Sequence, residues 1–152
     1  MMNFIVKQFK ELSTDELYEV LRLRSEVFVV EQTCYYQDMD DRDRHPEALH
    51  VLGYQDEQLA AYLRVLPKGT TYSDYPSVGR VVIGESVRGQ GAGHVLIECG
   101  IEACELKNPQ QGIKISAQSH LQAFYRRHGF DVVSEEYLED GIPHISMLRK
   151  PE

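Results

Sequence analysis

Apolar and polar positions change their period several times along the chain, and each change marks an element. Phe4 and Val6 stand on one face of an extended segment and Ile5 and Lys7 on the other, which predicts a short strand. Ser13 and Glu16 have the spacing of a capping box. Leu17, Val20, Leu21 and Phe28 then recur at helical intervals, with Arg22 and Glu26 free to face water. From Glu31 to Pro46 the apolar period fails, and the charged stretch from Asp38 to Pro46 reads as an exposed, solvated loop. Leu49 and Val51, followed by Leu59, Ala61, Leu63 and Val65, flank the turn Tyr54-Gln55-Asp56-Glu57 and predict an antiparallel hairpin. The short β-branched run from Val78 to Ile83 predicts a buried central strand.

Helical spacing returns at Ala92, Val95, Leu96, Cys99, Ala103 and Leu106 and is stopped by Asn108-Pro109. Ile113 to Ala117 predicts another strand. Ser119 with Gln122 offers a second capping box, for a helix bearing Leu121, Phe124 and Tyr125 that ends at Gly129. The remaining apolar positions, from Phe130 to Met147, alternate around Asp140-Gly141 as in a final hairpin. Strands joined by crossover helices predict an α/β domain with a partly antiparallel sheet. No repeat, low-complexity tract or long linker interrupts the pattern, so residues 1–152 are expected to form a single domain.

Composition narrows the function classes. Asp and Glu number 24 against 16 Lys and Arg, a formal net charge of -8. That balance argues against a nucleic-acid binder with a broad basic surface and leaves small cationic molecules as attractive partners. Cys34, Cys99 and Cys104 form no Cys-x-x-Cys pair, so they read as free thiols and no metal is implied. Counted from Asp38, the acidic loop has Asp43 where a calcium loop needs Gly and Leu49 where it needs Glu. With no signal-length or membrane-length apolar run, a soluble, cytoplasmic protein is expected.

The most informative segment is Arg88-Gly89-Gln90-Gly91-Ala92-Gly93, between the buried strand and the amphipathic helix. Its three glycines let backbone amides approach a ligand, and the helix N-terminus adds unpaired N–H groups, a combination suited to pyrophosphate. Arg88 brings a permanent positive charge to the rim. The segment is neither a Walker loop, since no Gly-Lys-Ser/Thr follows, nor the G-x-G-x-x-G dinucleotide fingerprint. Its pattern is Arg-x-x-Gly-x-Gly, and a ligand-free strand-to-helix turn is the plainer alternative for it when taken alone.

Together with Ala123-Phe124-Tyr125-Arg126-Arg127-His128-Gly129-Phe130 about 30 residues later, this pattern resembles the GNAT superfamily of N-acetyltransferases along nearly the whole chain. Phe28-Val29-Val30-Glu31-Gln32, the acidic Tyr36 to Asp43 segment and Glu139-Asp140-Gly141-Ile142-Pro143-His144 look like its ElaA-type branch. The resemblance implies the GNAT acyl-CoA N-acyltransferase fold, a mixed, mostly antiparallel sheet flanked by helices. It also implies an acetyl-CoA site made by Val81, Val82, Ile83, Arg88, Gly89, Gln90, Gly91, Ala92 and Gly93. The diphosphate would lie on the amides of Arg88 to Gly93, and the pantetheine amides would pair with Val81 and Ile83. The implied reaction is acetyl transfer to a primary amine of a small molecule or peptide.

Direct transfer from a thioester needs an unprotonated amine and a proton for the departing thiolate. Tyr125 occupies the position where such proteins often place the tyrosine that serves the coenzyme sulfur. His144 is the first candidate for base or acceptor ligand, ahead of Glu31 and Glu136. The Asp38 to Asp43 cluster is expected to draw a cationic amine toward the cleft. Cys99 falls on the apolar stripe of the predicted helix, against an acyl-cysteine route. A coenzyme-binding sensor or interaction module without efficient transfer is the alternative, and a homodimer is a further possibility.

Overall fold

The structure is a computed structural model describing residues 2–151. Strand β1 (Met2–Lys7) leads to helix α1 (Thr14–Arg24), whose Ser13 hydroxyl accepts from the Glu16 amide while the Glu16 carboxylate accepts from the Ser13 amide. The predicted capping box is therefore formed. The helix then widens into a π-helical segment, Ser25–Glu31, which carries Phe28. Strands β2 (Leu49–Gln55) and β3 (Gln58–Leu66) make the expected hairpin, with Asp56 at φ 55 in its turn. Strand β4 (Ser77–Ile83) is followed by the glycine-rich turn and helix α2 (Ala92–Lys107).

The C-terminal part comprises β5 (Ile113–Gln118), the short helix α3 (Gln122–Arg126), β6 (Phe130–Val132), β7 (Tyr137–Glu139) and β8 (Ile142–Arg149). One sheet joins them all in the order β1-β2-β3-β4-β5-β8-β6, with β7 also on β8. Every pairing is antiparallel except β4 with β5, which meet in parallel through a single register pair, Ser77 and Lys114. Beyond that pair the two central strands separate toward Ile83 and Gln118. Register with β3 also slips between Tyr62 and Arg64, opposite Arg80, which sits at φ 51. Such a bulge bends a strand and re-aims its side chains.

Helix α2 covers one face of the sheet, burying Leu96 and Ile97 on Leu63, Ile115 and Met147. Gly100 allows this contact, because a β-carbon there would come within 2.7 Å of Leu63. Helix α1, through Val20 and Leu23, and the π-helical segment after it, through Val27, cover part of the other face on Leu52, Tyr62 and Val82. Among the described residues no helix is long and apolar enough to cross a membrane.

Two expectations are corrected. Ser119 does not cap α3: a 3-10 turn occupies Ser119–Leu121, Leu121 takes the cap position and the buried Ser119 hydroxyl has no partner among the described residues. The acidic loop is not a free charge run either. Arg24 of α1 binds Asp38 and Asp43 (both 2.8 Å), Arg64 of β3 binds Asp40 and Asp43 (2.8 and 2.9 Å), and Arg80 binds Asp38 (2.8 Å). Arg24 and Arg64 are themselves buried, so the aspartates supply the countercharge that their burial requires.

Candidate active site

The separation of β4 from β5 opens two adjoining clefts. The first, of about 490 Å³, runs from Val81, Val82 and Ile83 to Arg88, Gly89, Gly91, Ala92 and Gly93, with Phe124 and Tyr125 opposite. Gly89 and Gly91 both lie at φ +77, and a β-carbon at either would meet no atom within 4 Å. Their backbone thus borders open space instead of packed side chains. Arg88 spans the rim, donating from Nε to the Ile83 carbonyl (3.0 Å) and from its terminal nitrogens to both Glu31 oxygens (2.6 and 2.8 Å). This hydrogen-bonded pairing holds the Glu31 carboxyl below its ordinary range.

The second cleft is smaller, about 150 Å³, and lies between Val78–Val81 of β4, Ile115–Gln118 of β5 and the turn from Glu139 to His144. Tyr125 belongs to the walls of both clefts. Its ring is packed edge-on against Phe124 and Phe130, at centroid distances of 5.0 and 5.9 Å, and the residue is only 7% exposed. Among the described residues no hydrogen bond is made to its hydroxyl. Burial alone pushes the phenol up to about 12, which keeps its proton in place at neutral pH. His94 and His128 are 2.8 Å apart and tie the first turn of α2 to the end of α3.

A family model for an acetyltransferase (GNAT) domain matches residues 9–150. The chain belongs to the GNAT acetyltransferase family. Among related proteins, Protein ElaA of Escherichia coli (strain K12) is 44% identical over 140 residues, covering 92% of this chain and 91% of that protein. A crystal structure of an acyl-CoA N-acyltransferase from Pseudomonas aeruginosa is 44% identical, with a TM-score of 0.92 over 98% of this chain and 99% of that one. The crystal structure of Escherichia coli ElaA gives 41% identity and a TM-score of 0.93, covering 99% of this chain and 100% of that one. This GNAT chain is thus similar to ElaA-type proteins in both sequence and fold.

In the GNAT fold, residues expected from the sequence fall on these two clefts with two exceptions, Gln90 and Glu136. Val81, Val82, Ile83, Arg88, Gly89, Gly91, Ala92 and Gly93 line the larger one. Gln90 does not line it; its side-chain amide bonds the Ser86 carbonyl. His144 lines the smaller cleft, 7% exposed, with Nδ1 2.7 Å from the Ile142 carbonyl. Glu136 lines neither, and Glu31 is engaged by Arg88. Cys99 is away from both clefts, while Cys34, which no sequence pattern singles out, lines the smaller.

The aspartate cluster cannot attract an amine as expected, because Asp38, Asp40 and Asp43 are matched by Arg24, Arg64 and Arg80. Ser116, Tyr137 and Glu139 were not legible as site residues, since no motif spacing joins them. Strand pairing does: β5 and β7 both pair with β8, which sets Ser116 within 2.5 Å of the Tyr137 hydroxyl and 3.2 Å of Glu139.

Proposed function

We propose that residues 1–152 act as one acetyl-CoA-dependent N-acetyltransferase unit, moving an acetyl group to a primary amine of a small molecule or peptide within a ternary complex. The observation that carries this reading is the Tyr125 hydroxyl, without a hydrogen-bond partner among the described residues, in the wall common to both clefts. A coenzyme in the larger cleft and an amine in the smaller one would meet beside it. The larger cleft suits the coenzyme chemically. The side of Val81–Ile83 that faces β5 has no strand register, so its backbone groups, apart from the Ile83 carbonyl that Arg88 holds, are available to pantetheine amides. The glycine turn at the start of α2 offers amides and the positive end of a helix to the diphosphate.

In the reaction, the amine lone pair attacks the thioester carbonyl, a C–N bond forms and the C–S bond breaks. Tyr125 gives its proton to the departing thiolate. His144 is the base or acceptor ligand. Its Nδ1 donates to the Ile142 carbonyl, which leaves the lone pair of the neutral ring on Nε2. No covalent enzyme intermediate is needed, and burial pushes the Cys104 thiol up to about 12, far from a reactive thiolate.

A thermal-shift titration with acetyl-CoA, followed by thiol release on a panel of primary amines, tests the reading. Stabilisation that grows with ligand, together with amine-dependent thiol release, is the expected result. Absence of any shift at millimolar acetyl-CoA sinks it. A shift without release from any amine would favour a coenzyme-binding module.

A further inference from the structure

We infer that Glu139 and His144 together form a docking and proton-accepting pair for an alkylammonium, so that the acceptor is an aliphatic amine that arrives charged. This inference rests on the acetyl-transfer reading and adds to it the acceptor's charge state and the residue that selects it. The β7–β8 hairpin builds the pair. Its turn, Asp140-Gly141, has φ 52 and 78, the tight form that leaves Glu139 directly across from Ile142 and Tyr137 across from His144.

One Glu139 oxygen accepts from the Ser116 hydroxyl at 3.2 Å, and the other stands 3.5 Å from His144 Nε2. That second distance is longer than an ordinary hydrogen bond and sets the carboxylate beside Nε2. Ser116 is held in turn by Tyr137, whose ring stacks on His144 at 6.3 Å. The carboxylate is thereby aimed at the open side of an imidazole whose other nitrogen is already committed to Ile142. Glu139 also differs from the other acids nearby, because Glu31, Asp38, Asp40 and Asp43 each bind an arginine and, among the described residues, Glu139 binds none.

A cleft of about 150 Å³ admits only the amine-bearing end of an acceptor. An alkylamine reaches it as the ammonium ion, since its nitrogen, like that of lysine, holds a proton until pH is roughly 10. Glu139 binds that cation, and one of its protons passes to His144 Nε2, where the new imidazolium faces the same carboxylate. The freed amine then attacks the thioester. Tyr125 protonates the thiolate and recovers a proton from the nitrogen that becomes the amide, and His144 returns its proton to solvent. An arylamine is already neutral and gains nothing from Glu139.

The test measures thiol release by the full chain with saturating acetyl-CoA, using n-butylamine and the neutral arylamine 4-methoxyaniline. Wild type should favour butylamine. Glu139→Gln should raise the butylamine KM by roughly 10- to 100-fold, as loss of a charge-assisted contact does, and leave the coenzyme-induced thermal shift intact. His144→Gln should lower kcat for butylamine by a larger factor than for the arylamine, whose nitrogen brings no extra proton to be removed. Equal losses for both acceptors, an unchanged butylamine KM in Glu139→Gln, or a wild-type preference for the arylamine overturns the inference. If no amine releases thiol although acetyl-CoA binds, the transfer reading fails on its own. Docking is then decided by calorimetric binding of butylammonium in the presence of coenzyme A, expected for wild type and absent in Glu139→Gln; equal binding by the two overturns it.

Discussion

Tyr125 owes its chemical character to packing and to no neighbouring charge: burial is the one influence that raises its pKa to about 12. A phenol so placed keeps its proton at neutral pH and is therefore in the form that can hydrogen-bond to a thiolate leaving an acyl group and pass it a proton, which the attacking nitrogen then replaces. Tyr125→Phe should therefore lower turnover by roughly 100- to 10,000-fold and leave coenzyme affinity within a few-fold, as read by steady-state kinetics and thermal shift. Unchanged turnover would remove the hydroxyl from the proton-donor role. At Gly91 the issue is space and backbone. The residue is at φ +77, where a β-carbon costs roughly 1–2 kcal/mol, and a valine side chain would extend into the open cleft. Gly91→Val should abolish the acetyl-CoA shift with only a modest loss of intrinsic stability, and normal coenzyme binding would contradict the cradle. Both residues stood out in the sequence because their neighbours form local motifs. Ser116 did not, and Glu139 did only within a family motif that gave it no role, because their meeting depends on two strands sharing a third.

Most elements were legible from local spacing, with the Ser119 cap as a local misreading, whereas contacts supplied by distant partners were not. The α1 cap, the β2–β3 hairpin and the stop at Asn108 need only a few adjacent residues. The segment from Asp38 to Arg44 has the composition of a solvated loop, yet its conformation is fixed by guanidinium groups from α1, β3 and β4. Burial works against the Asp40 carboxylate, but hydrogen bonds and charge from Arg64, with help from Arg80, hold it down to about 2 against an ordinary 3.8. A depressed acid of this kind stabilises the fold above its unfolded value and loses that contribution as pH falls toward its folded value. Asp40→Asn should accordingly cost about 2 kcal/mol at pH 7, with the difference from wild type shrinking between pH 4 and 2. Urea unfolding across that range checks it, and a pH-independent difference would show that lost packing, not charge, is responsible.

At the scale of the whole molecule, the formal charge of -8 is unevenly used. The three arginines and three aspartates around the acidic loop cancel, so the excess lies elsewhere on the surface and that loop serves as a fastening between the α1 side and the sheet. The sheet itself is continuous in order and interrupted in register: β4 and β5 are joined at Ser77 and Lys114 and part beyond them. Seen as backbone chemistry, the gap is a missing strand, and a ligand with amides of its own is able to fill it. Hydrogen–deuterium exchange should then find the Val81–Ile83 amides slowed when coenzyme A is added, more than those of β1 at the far edge. In that case the coenzyme would be a removable part of the fold as well as a reactant, closing the sheet on arrival and reopening it on departure.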